Sequence, residues 1–280
     1  GECYVVLGTW AWYTPPNEIY PKASEYAKKA FEIDPNLAPA HAVLAGIAKE
    51  YENDWDKAEA HYRRAIELNP NYATARQWYA EFLGHQGRYA EAIEQVKTAL
   101  ELDPLSLVII VVNGWIYAMA GDHDRALAEY QKAADLEPDF PPLHNNLSAL
   151  YIRTGELDKA VQAQIRFMDL TASDETERAV VEQAKAVYER DGHQGSLRFG
   201  VQFLTQRYYE EYAPPVLIAG YFAQLGEADS AIVWLERGYE QRAAFMYAIA
   251  QFPMLFPLHS DPRFIDLLKR LDLEYALPDI

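Results

Sequence analysis

The apolar residues of this chain recur at the spacing of amphipathic helices, and the helices themselves recur at a fixed interval. Apolar side chains fall one, three and four positions apart, as in Trp78, Tyr79, Phe82 and Leu83. Four prolines follow successive helices at gaps of 35, 34 and 34 residues: Pro35, Pro70, Pro104 and Pro138. A period of this length predicts a stacked array of helical repeats, in which each unit packs only on its neighbours.

Three further positions repeat in phase with the prolines. A small residue recurs in the first helix of each unit, at Gly8, Ala45, Ala80, Gly114 and Ser148. A glycine ends that helix at Gly87, Gly121 and Gly155, and an alanine recurs in the second helix at Ala23, Ala58, Ala92, Ala126 and Ala160. Small side chains let two helices approach closely, and glycine supplies the left-handed backbone that ends a helix. Proline cannot continue the second helix.

These landmarks together resemble the tetratricopeptide repeat, a helix-turn-helix unit of about 34 residues. The resemblance implies an all-α fold, a right-handed α-solenoid with a C-terminal capping helix. We expect five tetratricopeptide-like units over residues 1–172, the first of them divergent, and a divergent helical pair over 173–213. A further unit over 214–258 and a capping helix with a tail over 259–280 would complete the chain.

The layout also resembles the repeat region at the C-terminal end of certain bacterial signalling proteins. These are winged-helix regulators, class III nucleotide cyclases and serine/threonine kinases. The resemblance rests on Tyr51–Ala58, on Ala73–Tyr79 and on Ser260–Phe264. It implies a binding or sensory role beside a separate output domain. Because the chain begins at Gly1 without methionine, we expect it to be part of a longer protein.

The net charge restricts the class of partner, and the cysteine content restricts the kinds of site and the compartment. With 42 acidic and 25 basic residues, the net charge is −17, which repels nucleic-acid phosphates and anionic membrane surfaces. We therefore expect no nucleic-acid partner. The single cysteine, Cys3, excludes an internal disulfide and a cysteine-based zinc site. It fits the cytoplasm, which we favour, and also a periplasmic domain without disulfides.

The sequence contains none of the motifs that would predict catalysis. There is no His-Glu-x-x-His pair, no Gly-rich phosphate loop, and no pair of glycines flanking a nucleophilic serine. We expect no catalytic residue, no metal ligand and no cofactor, and hence a protein that is not an enzyme.

The resemblance implies that the first helix of each unit lines a concave groove in which a partner binds. Carried onto this sequence, the lining positions are Trp12, Tyr13, Gln77, Glu81, His85, Val108, Val111, Trp115, Met119, Asn145, Ile152 and Arg153. Relatives that clamp acidic C-termini place lysine, arginine and asparagine there to pair a carboxylate. The first three units here lack that set, so an apolar or basic partner is expected rather than an acidic one.

One helix is apolar on nearly every side. Leu105–Ala120 is interrupted only by Ser106, Asn113 and Gly114, and such a helix must be buried all round. It falls short of the roughly 20 apolar residues of a membrane span and lies in repeat phase, so no span is predicted. Either it forms the apolar floor of a groove that anchors a partner, or the C-terminal helices or a second subunit cover it.

Two functional hypotheses follow. The first is a non-catalytic, peptide-binding or sensory repeat domain of a larger bacterial signalling protein, with Trp115 and Met119 as apolar anchors. The second is a structural module that forms a homodimer through residues 105–120 and 208–212 and has no external ligand. An accessory domain of a catalytic chain is a third possibility.

Overall fold

A computed structural model describes residues 15–273, and the regular elements in that range are all helices. The repeat region packs them as neighbours along the chain. In order they are α1 (Pro16–Ile33), α2 (Ala38–Ile47), α3 (Trp55–Leu68), α4 (Ala73–His85), α5 (Tyr89–Leu102), α6 (Leu107–Met119), α7 (His123–Leu136), α8 (Pro141–Thr154) and α9 (Leu157–Thr171). The most extensive contacts join α2 to α3, α4 to α5, α6 to α7 and α8 to α9. The paired helices predicted from the 34-residue period are thus confirmed in this part of the chain.

Glycine ends the first helix of three successive pairs, as the sequence predicts. Gly87, Gly121 and Gly155 have φ angles of 72°, 80° and 78°, in the left-handed region that a residue with a Cβ rarely adopts. The amide of Gly155 donates to the carbonyl of Ile152 over 3.2 Å, and that of Glu156 to Tyr151 over 2.8 Å. These bonds satisfy carbonyls at the end of α8 and turn the chain into α9.

The small residues mark the places where paired helices approach most closely. A Cβ added at Gly114 would lie 2.4 Å from the Tyr130 ring, whose side chain is almost wholly buried. The equivalent Ser148 is buried, and its hydroxyl donates to the carbonyl of Ala160 over 2.9 Å. Close packing therefore explains the repeated choice of glycine, alanine or serine at this position.

The repeat that contains α2 and α3 is one residue longer than the two that follow it, as the proline gaps of 35, 34 and 34 show. A local change of helix type accommodates the extra residue. After α2 the backbone forms a π-helical turn over Ala48–Glu52, and Asn53 adopts a left-handed conformation with φ 53°. Asp54 then caps α3 by accepting from the amide of Lys57 over 3.0 Å. The π turn carries Lys49 and Glu50, which both reappear in the site described below.

The second half of the chain departs from the repeat. Helix α10 (Glu175–Glu210) bends at Gly192, where φ is 63° and ψ is −159°. The pair α11 (Pro215–Gln224) and α12 (Ala228–Glu240) follows, then short 3-10 turns over Met246–Ala248 and Pro253–Leu258. Helix α13 (Pro262–Arg270) closes the described chain and buries Phe264, Leu267 and Leu268.

Candidate functional site

Helices α4, α6 and α8 each turn one face toward a shared cavity of about 220 Å³. Positions three and four apart lie on one side of a helix, which is why one stripe of each helix meets the cavity. The predicted groove residues that line it are Gln77, Glu81, His85, Val108, Val111, Trp115 and Asn145. The assignment of these residues to a partner-binding surface stays a prediction.

Two of the predicted residues are held by contacts to neighbouring helices. The side chain of Met119 is buried, and its sulfur lies 3.0 Å from Nη2 of Arg153. Trp115 is partly buried and packs against Gly84, where an added Cβ would lie 2.7 Å from its ring. Both side chains therefore form part of the packing between helices.

Three further predicted residues are Ile152, Trp12 and Tyr13. Ile152 is partly buried on α8, outside the cavity lining. Trp12 and Tyr13 lie outside the residues that the structure describes.

A segment from the C-terminal half occupies much of the concave face. We call residues 245–256 the groove segment. Its Tyr247 ring meets the His85 ring edge-on, with centroids 5.2 Å apart, and lies 4.8 Å from Nζ of Lys49. Gln251, buried like Tyr247, donates through Nε2 to the carbonyl of His85 over 2.6 Å. The chain's own C-terminal region thus covers the C-terminal end of α4 and part of the π turn.

The groove segment also explains the position of Arg153. Its Nη2 donates to the carbonyl of Gln251 over 3.1 Å, and its guanidinium lies 4.6 Å from the centre of the Phe256 ring. Burial lowers the pKa of Arg153 from its ordinary value, although arginine stays protonated in proteins. The cation predicted to contact a partner therefore contacts the chain itself.

The two acidic side chains of the cavity differ in their polar partners: Glu50 has a cation and Glu81 has a neutral amide. Glu50 pairs with the neighbouring Lys49 over 3.0 Å, and both side chains are about 95% shielded from solvent. Glu81 is partly buried and accepts one hydrogen bond, from Nε2 of Gln77 over 2.8 Å. No lysine, arginine or histidine of the described residues lies within ion-pair distance of Glu81.

Burial governs the protonation of the two titratable groups that α4 contributes to the cavity. Desolvation raises the pKa of Glu81, and the positive charge of Lys49 opposes that rise. Desolvation lowers the pKa of His85 to about 3, and Lys49 adds to that shift. His85 is therefore a neutral imidazole at pH 7, and its ring contacts Trp115 at a tilt of 54° with ring centroids 4.8 Å apart. It contributes no charge to the cavity.

Sequence reasoning missed several residues that reach the cavity from outside the first helices. Lys49 and Glu50 come from the π turn, and Phe245 and Tyr247 come from the groove segment. A charged pair directly after the apolar helix Ala38–Ile47 was the available signal for the first two. The groove segment lies about 170 residues from α4, and no local pattern indicates that contact.

Two kinds of site are absent from residues 15–273. No helix there is long and apolar enough to cross a lipid bilayer. Within the same residues, no three histidine, cysteine or acidic side chains are grouped so that they could hold a metal ion.

Comparison with known sequences identifies the repeats. Tetratricopeptide-repeat family models match residues 43–106 and 117–163. A stretch of 73 residues is 40% identical to the photosystem I assembly protein Ycf3 of Rippkaea orientalis, covering 25% of this chain and 42% of that protein. The Ycf3 of Synechococcus elongatus is 37% identical over the same length. The chain thus spans less than half the length of these relatives.

Solved structures share the fold at low sequence identity. The type IV pilus biogenesis factor PilW superposes with a TM-score of 0.52 and 22% identity, covering 74% of this chain and 94% of PilW. A chain of the APC/C hetero-tetramer Cut9–Hcn1 gives 0.57 and 16% identity, covering 96% of this chain and 48% of that one. The chain therefore contains tetratricopeptide repeats in an all-α solenoid, the scaffold of protein-interaction modules.

Proposed function

We propose that the chain is a non-catalytic protein-binding module whose partner contacts the concave groove at the cavity between α4, α6 and α8. The observation that carries the proposal is this cavity, which stays open although the groove segment covers the neighbouring surface. At its rim Val108 is 37% exposed, and the side-chain amide of Asn145 makes no hydrogen bond to another described residue. A partner would find there both apolar surface and a free hydrogen-bonding group.

The proposal extends to the protein that contains this module. We propose that partner binding acts on an output domain elsewhere in the same polypeptide, as the resemblance to bacterial signalling proteins implies. The names of the relatives support a second setting, because Ycf3 is a photosystem assembly protein and PilW a pilus biogenesis factor. In either setting the module binds protein and does no chemistry.

Self-assembly is the competing proposal, and the burial of α6 restricts the surfaces through which two copies could associate. Most of Leu107–Met119 is buried by other helices of the same chain, so this stretch offers little surface to a second copy. Exposed apolar side chains include Leu105, which is 72% exposed, Tyr209, which is 69% exposed, and Val233, which is 58% exposed. Homodimerisation would use exposed side chains such as these rather than the buried face of Leu107–Met119.

Photo-cross-linking from inside and outside the groove tests the proposal. The full-length protein, expressed in its native host, would carry p-benzoylphenylalanine in place of Val108 or in place of Leu127. These residues are 37% and 38% exposed, and Leu127 belongs to α7, which does not line the cavity. We expect a heterologous protein to be cross-linked from position 108 and not from 127.

The same experiment can refute the proposal. Equal yields from both positions, or a product from 127 alone, would place the interaction outside the groove. A product consisting of two copies of the chain would favour self-assembly. Substitutions of Trp115 and Met119 are unsuitable here, because both side chains are packed between helices and their loss would disturb the fold.

A further inference from the structure

The charge balance of the cavity indicates what it can receive. Lys49 and Glu50 neutralise each other across 3.0 Å. Glu81 contributes a further carboxylate, held by one hydrogen bond from a neutral amide. A carboxylate removed from water is costly unless a cation or several donors compensate it. With Glu81 ionised, the formal charges of Lys49, Glu50 and Glu81 leave the cavity with a net negative charge, which a cation beside Glu81 would compensate.

The walls fit the same ligand. Trp78, Trp115, Phe245 and Tyr247 line the cavity beside Glu81. Aromatic faces attract cations, and a guanidinium can stack on them while donating to a carboxylate. Tyr247 already contacts the ammonium group of Lys49 in this way, at 4.8 Å.

The size of the cavity limits the ligand to a single side chain. Sites for whole drug-sized molecules or cofactors enclose roughly 300 Å³ or more, whereas this cavity measures about 220 Å³. The amide of Asn145 lies at the cavity and can donate to and accept from a peptide group. A partner side chain that enters the cavity would fit its small volume. The backbone of the same partner residue, lying at the rim, would reach the amide of Asn145.

We propose that the cavity receives an arginine side chain of a partner protein, with Glu81 as its counter-ion, the tryptophans as its walls and Asn145 at the adjoining peptide backbone. This inference rests on the proposed function and names the chemistry of the partner. It also fits the net charge of −17, which favours a basic partner at long range.

Three small probes test the assignment on the purified chain. They are acetyl-Gly-Arg-Gly-amide, the same peptide with neutral citrulline in place of arginine, and agmatine, which carries the guanidinium without a peptide backbone. Binding is followed by NMR through the indole N–H signals of Trp78 and Trp115. We expect the arginine peptide to bind at least about ten-fold more tightly than the citrulline peptide, since charge-assisted hydrogen bonds are roughly twice as strong as neutral ones.

Two substitutions locate the contact. Glu81→Gln is expected to remove the preference for arginine over citrulline, whereas Glu101→Gln, at an exposed position on α5, leaves it unchanged. Asn145→Ala is expected to weaken the binding of the arginine peptide and to leave the binding of agmatine unaffected. The comparison of peptides on the wild-type chain does not depend on any variant folding.

Equal binding of the arginine and citrulline peptides would overturn the assignment, as would an arginine preference that survives Glu81→Gln. Agmatine binding more tightly than the peptide would replace it with a site for small cations. If no arginine preference is found while position 108 still cross-links a partner, the groove function stands and the arginine assignment falls. If neither experiment gives a signal, both proposals fall.

Discussion

The side chain of Gln251 is predicted to hold the groove segment in place, and its removal should be costly. Its Nε2 donates to the carbonyl of His85 over 2.6 Å, and its Oε1 lies 3.3 Å from Nδ1 of the same residue. His85 is the last residue of α4, so its carbonyl is one of the groups that a helix leaves without an internal partner. In Gln251→Ala both groups of His85 lose their partner.

The expected loss of stability in Gln251→Ala follows from the number of hydrogen bonds that Gln251 makes and from their burial. A hydrogen bond contributes about 0.5–1.5 kcal/mol net, and a buried group left unsatisfied costs about 1–3 kcal/mol. Gln251 is only 4% exposed, so water cannot readily replace it. We expect Gln251→Ala to lower the free energy of unfolding by about 2–3 kcal/mol. Gln251→Glu keeps the shape but turns a carboxylate toward the carbonyl oxygen, and it should cost at least as much.

Guanidinium denaturation followed by circular dichroism measures this loss, and hydrogen exchange locates it. Gln241 provides the matched control, because it donates to the hydroxyl of Tyr208 over 2.7 Å from an exposed position. Gln241→Ala should change stability by less than about 0.5 kcal/mol. We expect faster exchange in residues 245–256 for Gln251→Ala alone. If the two alanine variants agree within about 0.5 kcal/mol, the groove segment is not held as described.

Two further substitutions test the packing and the charge of the repeat helices. Gly114→Ala gains up to about 1 kcal/mol of helix propensity but forces a Cβ to 2.4 Å from the Tyr130 ring, and overpacking costs about 1–3 kcal/mol. We expect a net loss in urea denaturation, and a gain would contradict the packing argument. Glu81→Gln should stabilise the chain near pH 7.5 and bring no gain near pH 4, because the gain appears only above the ordinary glutamate pKa. Denaturation of both proteins at both pH values measures the gain in stability. An equal gain at the two pH values would be inconsistent with a raised pKa of Glu81.

The pH dependence follows from the raised pKa of Glu81. Between the ordinary pKa and the raised one, the folded chain binds more protons than the unfolded chain, so stability falls as the pH rises through that window. The other titratable groups lining this cavity are Lys49, Glu50, Tyr62, His85 and Tyr247. Burial raises the pKa of both tyrosines and lowers that of His85 to about 3, so these three stay neutral throughout the window.

Much of the repeat architecture could be predicted from the sequence, because its determinants are local. A glycine at a fixed offset needs the left-handed backbone found at Gly121, and a small residue such as Gly114 is required by one neighbouring ring. The bend in α10 is also local, since Gly192 adopts a conformation that interrupts a regular helix. Each of these features depends on residues within one or two helices.

The environment of the candidate site could be predicted only in part. The lining positions implied by the family resemblance include Gln77, Glu81 and Trp115, and these three side chains line one cavity in the structure. The resemblance could not show that Arg153 is engaged by the groove segment, because that contact joins residues 98 apart through a backbone carbonyl. A helical stripe records which residues share a face, but it does not record which later segment covers that face.

The groove segment restricts how any partner could use this solenoid. A peptide lying along the whole groove would have to displace Tyr247 and Gln251, which contact α4, together with the Gln251 carbonyl that accepts from Arg153 on α8. The cavity beside Glu81 needs no such displacement, because it is present with the segment in place. Under the proposed function, a partner that inserts one side chain binds to the structure as it stands. A partner that binds along the groove must first meet the cost of releasing the segment, about 2–3 kcal/mol for the Gln251 side-chain contacts alone. Gln251→Ala therefore separates the two modes, since it should tighten binding along the groove but should not tighten insertion at Glu81, where Tyr247 of the same segment forms part of the cavity wall.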